Sequence, residues 1–237
     1  MNKIILTLLM TILFTPAANA QNCVNASRCD ELGYNKTTAD CAGLDTLVCP
    51  FDSNKVFCVF SEKSCEVGDA LYSDKKCYSI VPAEAIVIGV VFDAENRLAV
   101  ALDEKSLEWG GDGKEIGSAA QGTSGKSNTA AILAYGKANN ISYPAAEYCN
   151  KYSTSGTKAG DWFLPSIEEL KLLSNNFSEI NHSLKVLGKV MDDTEDGYYW
   201  SSFEYSDYTA RFLVPSSGDT LDRRKFYSSR VRPVLAF

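Results

Sequence analysis

The sequence predicts an α+β fold, and the order of its apolar patterns carries this prediction. Apolar runs typical of a strand hairpin lie at 85–102, helical patterns follow between 127 and 188, and strand patterns return from 198 onward. Because strands flank the helices on both sides, we expect the first and last strands to meet in one sheet. Ahead of this region, residues 21–79 are rich in cysteine and poor in long apolar runs, which predicts a small disulfide-rich module.

Residues 1–20 show the order of features of a signal peptide. Lys3 precedes an apolar run at 4–14, and Ala18-Asn19-Ala20 supplies a small-x-small cleavage site. The run is too short for a bilayer span, which requires about 20 apolar residues. We therefore expect an exported protein that is secreted, periplasmic or held at the cell surface, with no membrane span. The predicted organisation is a signal peptide at 1–20, the cysteine-rich module at 21–79 and the α+β domain at 80–237.

The α+β domain opens with a hairpin and a glycine-rich loop. Residues 85–92 and 97–102 are apolar strands joined by a polar turn. Residues 110–125 contain six glycines and predict a surface loop that borders a ligand site. A nucleotide-binding P-loop is disfavoured, because its pattern requires a glycine where Ala120 stands.

Capping signals predict the helices that follow. Ser127 or Asn128 caps the first, and Pro144 opens the second. Ser166 and Glu169 form a capping box at the start of the third. A further helix ends at a glycine and has an apolar face made of Phe177, Ile180, Leu184 and Leu187.

Eight cysteines follow the predicted signal peptide, and an even number in an exported chain is typical of disulfides. The expected disulfide cysteines are Cys23, Cys29, Cys41, Cys49, Cys58, Cys65, Cys77 and Cys149. Cys149 stands apart from the other seven, so at least one bridge must join it to this cluster if all of them pair. Cys77, the nearest in sequence, is its expected partner. Zinc is disfavoured, because close C-x-x-C pairs are missing from the sequence.

The charge balance argues against nucleic-acid binding. The formal net charge is −7 at pH 7, and loss of Lys3 with the signal peptide makes it −8, whereas phosphate neutralisation requires a basic surface. The sign reverses over 210–237, where six basic residues face two acidic ones. Arg223, Arg224 and Lys225 lie there in a predicted loop and are candidates for binding an anionic glycan or a carboxylate.

Two other sets of side chains are candidates for contact. Tyr205, Tyr208 and Tyr227 are rings that would stack on a sugar or pack on a protein partner. Four of the five residues at 192–196 are acidic: Asp192, Asp193, Glu195 and Asp196. They are oxygen ligands of the kind calcium prefers but lack the EF-hand pattern. An ordinary solvated turn is the preferred interpretation, and calcium is the alternative; no other cofactor is expected.

Three motifs occur in a fixed order, and together they resemble a known family. They are Trp162-Phe163-Leu164-Pro165-Ser166-Ile167-Glu168-Glu169-Leu170, Trp200-Ser201-Ser202 and Arg230-Val231-Arg232-Pro233-Val234. The combination resembles the bacterial family named for the C-terminal domain of the Legionella collagen-like adhesin, over residues 80–237. That family is similar to C-type lectin-like and formylglycine-generating-enzyme-like folds. The resemblance implies a C-type lectin-like domain with a twisted antiparallel sheet.

The resemblance also assigns structural roles, and the chain departs from the family pattern in places. The structural residues would be Trp162, Leu164, Pro165, Glu169, Trp200, Ser201, Ser202, Arg230 and Arg232. We expect Arg230 and Arg232 to pair with acids such as Glu168, Glu169 or Asp161. The family often has Arg where this chain has Phe163, and the sugar-binding signatures of true C-type lectins are missing from the sequence. Calcium-dependent sugar binding is therefore not implied.

The sequence leaves three hypotheses for the function of the chain. The sequence has a single histidine, His182, and lacks cysteines after Cys149, so it offers no hydrolytic or formylglycine-generating constellation. The preferred hypothesis is a non-catalytic recognition or adhesion module that binds a glycan or protein outside the cytoplasm. A structural subunit of a cell-surface or pilus-type assembly is the alternative. An unrecognised enzyme is the third. The oligomeric state stays open.

Overall fold

The structure is a computed structural model that divides into two compact units between Ser61 and Glu62. It describes residues 45–49, 52–59, 62–78, 85–192, 194 and 197–237. The predicted signal peptide lies outside the described residues. So do Cys23, Cys29, Cys41, Asp193, Glu195 and Asp196.

The described part of the first unit is a β-hairpin. Strand β1 (Asp45–Cys49) pairs antiparallel with β2 (Asp52–Val59), with Asp45 opposite Val59. Cys49 is buried and disulfide-bonded, as expected of a cystine-held module.

The larger unit, Glu62–Phe237, is an α+β domain. Its described strands are β3 (Glu62–Lys63), β4 (Ala70–Tyr72), β5 (Cys77–Tyr78), β6 (Val87–Asp93), β7 (Leu98–Ala101), β8 (Lys105–Glu108), β9 (Trp162–Phe163), β10 (Tyr199–Glu204), β11 (Thr209–Leu213), β12 (Thr220–Arg224), β13 (Ser228–Val231) and β14 (Val234–Ala236). Its described helices are α1 (Gly125–Asn139), α2 (Pro144–Lys151), α3 (Ile167–Asn175) and α4 (Phe177–Val186), with one 3-10 turn at Gly117–Ala120.

Two five-stranded sheets organise this domain. The first has the order β4-β6-β7-β14-β9, and the second has the order β12-β11-β10-β13-β8. All neighbours in these sheets are antiparallel except β10 and β13, which are parallel with Tyr199 opposite Arg230. The predicted hairpin is β6–β7, and the last strand, β14, pairs with β7 through Val234 and Val100. The predicted first strand, β6, and the last strand, β14, therefore lie in one sheet, as expected, but they do not pair directly because β7 lies between them.

Apolar clusters fix the helices against the sheets. One contains Leu170 from α3, Leu184 from α4, Val90 from β6 and Leu213 from β11. A second cluster joins α1 and α2 to the second sheet, and its members include Ile132, Cys149, Trp109 and Trp200. Each fully buried aliphatic side chain in these clusters stabilises the folded state by about 1.5–3 kcal/mol relative to the same side chain exposed to water. The continuous apolar run of β6 is explained by its burial on both faces.

Helix α1 begins earlier than its capping signals predict. Its N-cap is Ser124, whose Oγ accepts a hydrogen bond from the backbone N–H of Ser127. Asn128 is buried and bonds instead to Gly122 and Ser202. The helix therefore starts at a serine that the apolar periodicity does not mark.

Residues 62–78 belong to the larger unit, whereas their sequence predicts a place in the cysteine-rich module. Strand β4 forms an edge of the first sheet, with Ala70 opposite Val90, and Leu71 is fully buried. Three residues are too short a stretch to register as an apolar run, so only the sheet reveals their place.

The disulfide predicted between Cys77 and Cys149 is wrong. Cys77 is bonded to Cys65, with 5.2 Å between their Cα atoms, because β3 and β5 bring the two residues together. Cys149 is a free thiol, buried on α2 in the cluster around Trp109. Burial raises the pKa of this thiol well above its usual range.

We expect the Cys149 thiol to be protected in the folded protein, because the thiolate is the reactive species and this thiol is buried. An alkylating reagent should leave the peptide that contains Cys149 unlabelled under native conditions and label it in denaturant without reductant. Mass spectrometry of the digested protein measures both. Labelling that requires prior reduction would show that Cys149 is in a disulfide.

Candidate functional site

The two tryptophans of the motifs are internal, as expected. Trp162 and Trp200 are fully buried. The Trp162 Nε1–H donates to Thr157 Oγ1 at 3.0 Å, and the Trp200 Nε1–H donates to the Leu107 carbonyl at 3.1 Å. With their polar atoms satisfied inside the domain, neither ring is available for a ligand.

The first two motifs also contact each other. Ser166 and Glu169 form the predicted capping box, and the Glu169 carboxylate accepts a further hydrogen bond from the Gly125 N–H at 3.1 Å. Burial raises the pKa of Glu169. The Ser202 N–H donates to the Pro165 carbonyl at 2.7 Å. This last bond joins the two motifs directly, so they serve one framework inside the domain.

Leu164 and Ser201 extend this framework to the neighbouring elements. The Thr129 hydroxyl on α1 donates to the Leu164 carbonyl at 3.2 Å and accepts from the Leu164 N–H at 3.0 Å. The Ser201 hydroxyl donates to the Arg211 carbonyl at 2.8 Å. These bonds tie α1 to the end of β9 and β10 to β11.

Arg230 and Arg232 do form ion pairs, but with other acids than expected. Both pair with Glu104, at 3.4 Å and 2.6 Å, and Arg230 also pairs with Asp192 at 2.9 Å. The expected acids are engaged elsewhere. They are Glu169, which serves the capping box, Glu168, which pairs with Lys171, and Asp161, which accepts a hydrogen bond from the Lys158 N–H.

The acidic cluster contributes one described carboxylate to this network. Asp192 accepts hydrogen bonds from the Thr194 hydroxyl and N–H and from Arg230, and these contacts lower its pKa. Within the described parts of the chain, the side chains of His, Cys, Asp and Glu do not gather in threes that would hold a metal ion. The other three calcium candidates lie outside the described residues, so the calcium alternative stays a prediction.

Lys225 does not lie on a binding surface, and its assignment as a ligand contact is wrong. Its side chain is fully buried, and Nζ donates to Glu204 Oε1 at 2.6 Å, to the Lys114 carbonyl at 2.8 Å and to the Asp207 carbonyl at 3.0 Å. The ammonium also lies 5.0 Å from the centre of the Trp109 ring. Desolvation by burial lowers the pKa of Lys225, and Glu204 opposes this shift.

The buried pair of Lys225 and Glu204 fixes the glycine-rich loop to the second sheet. Glu204 Oε2 accepts hydrogen bonds from the N–H groups of Ile116 and Gly117 at 2.7 and 2.8 Å. With the Lys114 carbonyl bound to Lys225, the loop is anchored through three closely spaced residues. The loop is therefore held by a buried charged cluster that is not predicted from the sequence.

Rings and guanidinium groups form one connected surface at the edge of the second sheet, called here the arginine–aromatic surface. It consists of Tyr198, Tyr208, Arg223, Arg224, Phe226 and Tyr227. The Arg223 guanidinium lies 5.0 Å from the centre of the Tyr198 ring and 4.8 Å from that of Tyr227. Such stacking fixes the plane of the guanidinium group.

The surface continues around edge strand β12 to Arg224. The rings of Tyr227 and Phe226 are 4.4 Å apart, and the Arg224 guanidinium lies 5.0 Å from Phe226 and 4.8 Å from Tyr208. Arg224 also pairs with Asp112 of the glycine-rich loop at 3.2 Å. The structure thus brings together four of the six predicted contact residues.

The remaining predicted residue, Tyr205, lies on the same β10–β11 hairpin as Tyr208. Its ring is half exposed and is covered by the Arg211 guanidinium at 4.6 Å. No sequence motif singles out Arg211, Tyr198 or Asp112 as a contact residue. Strand alternation along β10 and β11 is the signal that would have placed Tyr198 on the face of Phe212 and Arg211 on the opposite face.

Exposed apolar side chains concentrate in this part of the domain. Among the described residues, nine large hydrophobic side chains are exposed, and five of them lie between positions 205 and 227. These five are Tyr205, Tyr208, Leu221, Phe226 and Tyr227. This concentration makes the region a candidate interaction surface.

Two grooves of the described region lie elsewhere. One, of about 510 Å³, runs between the end of α1 and the start of α2 along Leu133, Tyr143 and Lys151. The other, of about 290 Å³, lies along α4 beside His182, which is exposed. Residues of the arginine–aromatic surface line neither groove.

Comparison with known proteins gives a likeness among solved structures. No family model matches the chain, and the search of curated proteins gives no match. Among solved structures, a fimbrial protein from Bacteroides ovatus is similar, with a TM-score of 0.57 and 17% sequence identity. The similarity covers 73% of this chain and 49% of that protein, so the chain spans about half of its length. At this identity the likeness shows the fold alone.

The helices of the described region differ from membrane spans in length and hydropathy. Each of them is too short or too polar to cross a bilayer.

Proposed function

We propose that this chain is a structural subunit of a cell-surface assembly of the fimbrial type. The observation that carries the proposal is the fold shared with a fimbrial protein over 73% of the chain. The Cys65–Cys77 disulfide supports a location outside the cytoplasm, where such bonds persist. The exposed apolar side chains of the arginine–aromatic surface are what an assembling subunit would use for contact.

The proposal includes a non-enzymatic role and a lectin-like domain. His182 is exposed on α4, and Cys149 is buried with a raised pKa, so neither is placed as an activated nucleophile or base. The resemblance of the three motifs to the Legionella adhesin family, together with their place in one α+β domain, is what supports a lectin-like class. On that basis we assign residues 80–237 to the C-type lectin-like class as part of the proposal.

Fractionation of the producing cells tests the proposal. Appendages are sheared from intact cells and separated by size, and the chain is detected with a specific antibody. We expect it in the high-molecular-weight sheared fraction, with a periplasmic marker protein as the control for lysis. Recovery of the chain only as a monomer in the medium would contradict a subunit role.

A recognition module is the second candidate function, because tyrosine and arginine dominate the arginine–aromatic surface. A binding screen against glycans and matrix proteins, with and without a chelator, tests this candidate. Binding that is lost in Arg223→Ala would support it. Binding that persists in this variant would place the contact elsewhere on the chain.

A further inference from the structure

We infer that the arginine–aromatic surface binds acidic side chains of a second copy of this chain in a head-to-tail contact. The inference rests on the proposed subunit function and names the partner and the geometry of assembly.

Arg223 is the central residue of the inferred contact, because its guanidinium is oriented but lacks an acceptor in the described part of the chain. It is stacked between the rings of Tyr198 and Tyr227. Among the described residues, it forms neither a hydrogen bond nor an ion pair through its side chain, in contrast to Arg224 and Arg230. A fixed, planar fork of five N–H donors is suited to bidentate contact with a carboxylate.

The composition of the chain makes a second copy a suitable source of that carboxylate. The chain has 30 acidic and 23 basic residues, and 210–237 alone has a balance of +4, so the rest of the chain carries −11. A second copy therefore presents mainly acidic charge outside this region. The flanking exposed rings would then be covered by the same contact, which removes apolar surface from water.

The arrangement of charges favours a head-to-tail contact over a symmetric one. In a two-fold contact, the same surface must supply both the donor and the acceptor. On the arginine–aromatic surface, the nearby carboxylate of Asp112 is occupied by Arg224. Asp222 alternates with Arg223 along β12, so its carboxylate lies on the face of Arg224 and not beside the Arg223 guanidinium. We therefore expect the acceptor for Arg223 to come from a different region of the second copy.

The edge strand itself is not the contact. Among the described strands, β12 pairs with β11 alone and is therefore an edge of the second sheet. However, Asp222, Arg223 and Arg224 occupy it, and charged residues on an edge oppose the addition of another strand. The contact therefore runs through side chains, and it should weaken as salt screens the charges.

Sedimentation velocity of the purified protein tests this inference. We expect species larger than dimers at about 20 mM salt and their dissociation at about 1 M, where the screening length falls to about 3 Å. Arg223→Glu should weaken self-association at least tenfold, as loss of a central arginine does. Lys126→Glu is the matched control: it makes the same change in net charge at an exposed position of α1 and should assemble like the wild type.

Mixing the Arg223→Glu variant with the wild type distinguishes a head-to-tail contact from a two-fold contact. The Arg223→Glu variant keeps the acidic residues outside 210–237, so it should still bind to the free arginine–aromatic surface at the end of a wild-type assembly. Because it offers no arginine at position 223 to the next copy, it should shorten the assemblies. Arg223→Lys keeps the charge but loses the planar fork, and should give an intermediate effect. Circular dichroism of each variant checks that it is folded.

Several outcomes would overturn the inference. They are a wild type that stops at dimers or stays monomeric, and an Arg223→Glu variant that assembles like the wild type. Arg223-dependent binding of an acidic glycan by a monomeric protein would also overturn it, in favour of the recognition module. If the chain occurs in the sheared fraction while Arg223→Glu assembles normally, this inference fails and the subunit function stands. If the chain is missing from that fraction, the subunit function fails.

Discussion

Replacing Lys225 with methionine should lower the free energy of unfolding of the larger unit by about 3–5 kcal/mol, the usual cost of breaking a buried ion pair. The substitution leaves the Glu204 carboxylate buried without its cation, while the carbonyls of Lys114 and Asp207 lose their donor. Urea unfolding followed by tryptophan fluorescence measures the change. The three tryptophans, Trp109, Trp162 and Trp200, are buried and all lie in this unit.

The neighbouring residue supplies the control. Arg224 pairs with Asp112 at the surface, and its side chain is 46% exposed, so Arg224→Met should cost at most about 1 kcal/mol. A double variant that also replaces Glu204 should recover only part of the loss, because the N–H groups of Ile116 and Gly117 would then lack their acceptor. Equal costs for Lys225→Met and Arg224→Met would contradict the role assigned to the buried pair.

Replacing Arg232 with methionine should have an effect of similar size, about 3–5 kcal/mol. The Arg232 side chain is 2% exposed and donates twice to Glu104. It also donates to the carbonyls of Ala101, Leu102 and Val190. Removing the guanidinium takes the donor away from these acceptors. The same urea experiment measures the loss.

Arg230→Met is the comparison for this network. Arg230 pairs with the same Glu104 at a longer distance, 3.4 Å, and its side chain is 40% exposed. We expect a cost of about 1 kcal/mol for this variant. A larger cost for Arg230→Met than for Arg232→Met would mean that the exposed pair with Asp192, not the buried contacts, holds the network together.

The sequence predicts the features of this fold whose signals are local. The apolar run of β6 and the capping box of Ser166 and Glu169 depend on residues at most a few positions apart, and both are found in the structure. The place of Cys77 is different, since its partner is decided by the pairing of β3 with β5. Two short strands of two residues leave no periodicity to read.

The candidate site shows the same limit. Arg223, Arg224 and Lys225 are adjacent cations in the sequence, yet one is stacked, one is paired at the surface and one is buried. Their separation depends on Glu204 and Asp112, which lie 21 positions from Lys225 and 112 positions from Arg224. Local charge therefore predicts a basic region, whereas the fold decides which of its cations remain available.

The direct connection between β13 and β14 affects when the larger unit can fold during synthesis. Strand β13 lies inside the second sheet and β14 lies inside the first, so the residues from Ser228 onward complete both sheets. Until they are synthesised, β7 and β9 lack the strand that joins them, and β8 lacks its neighbour in the second sheet. The larger unit therefore reaches its final structure only after these two strands are available, and an emerging chain stays open until then.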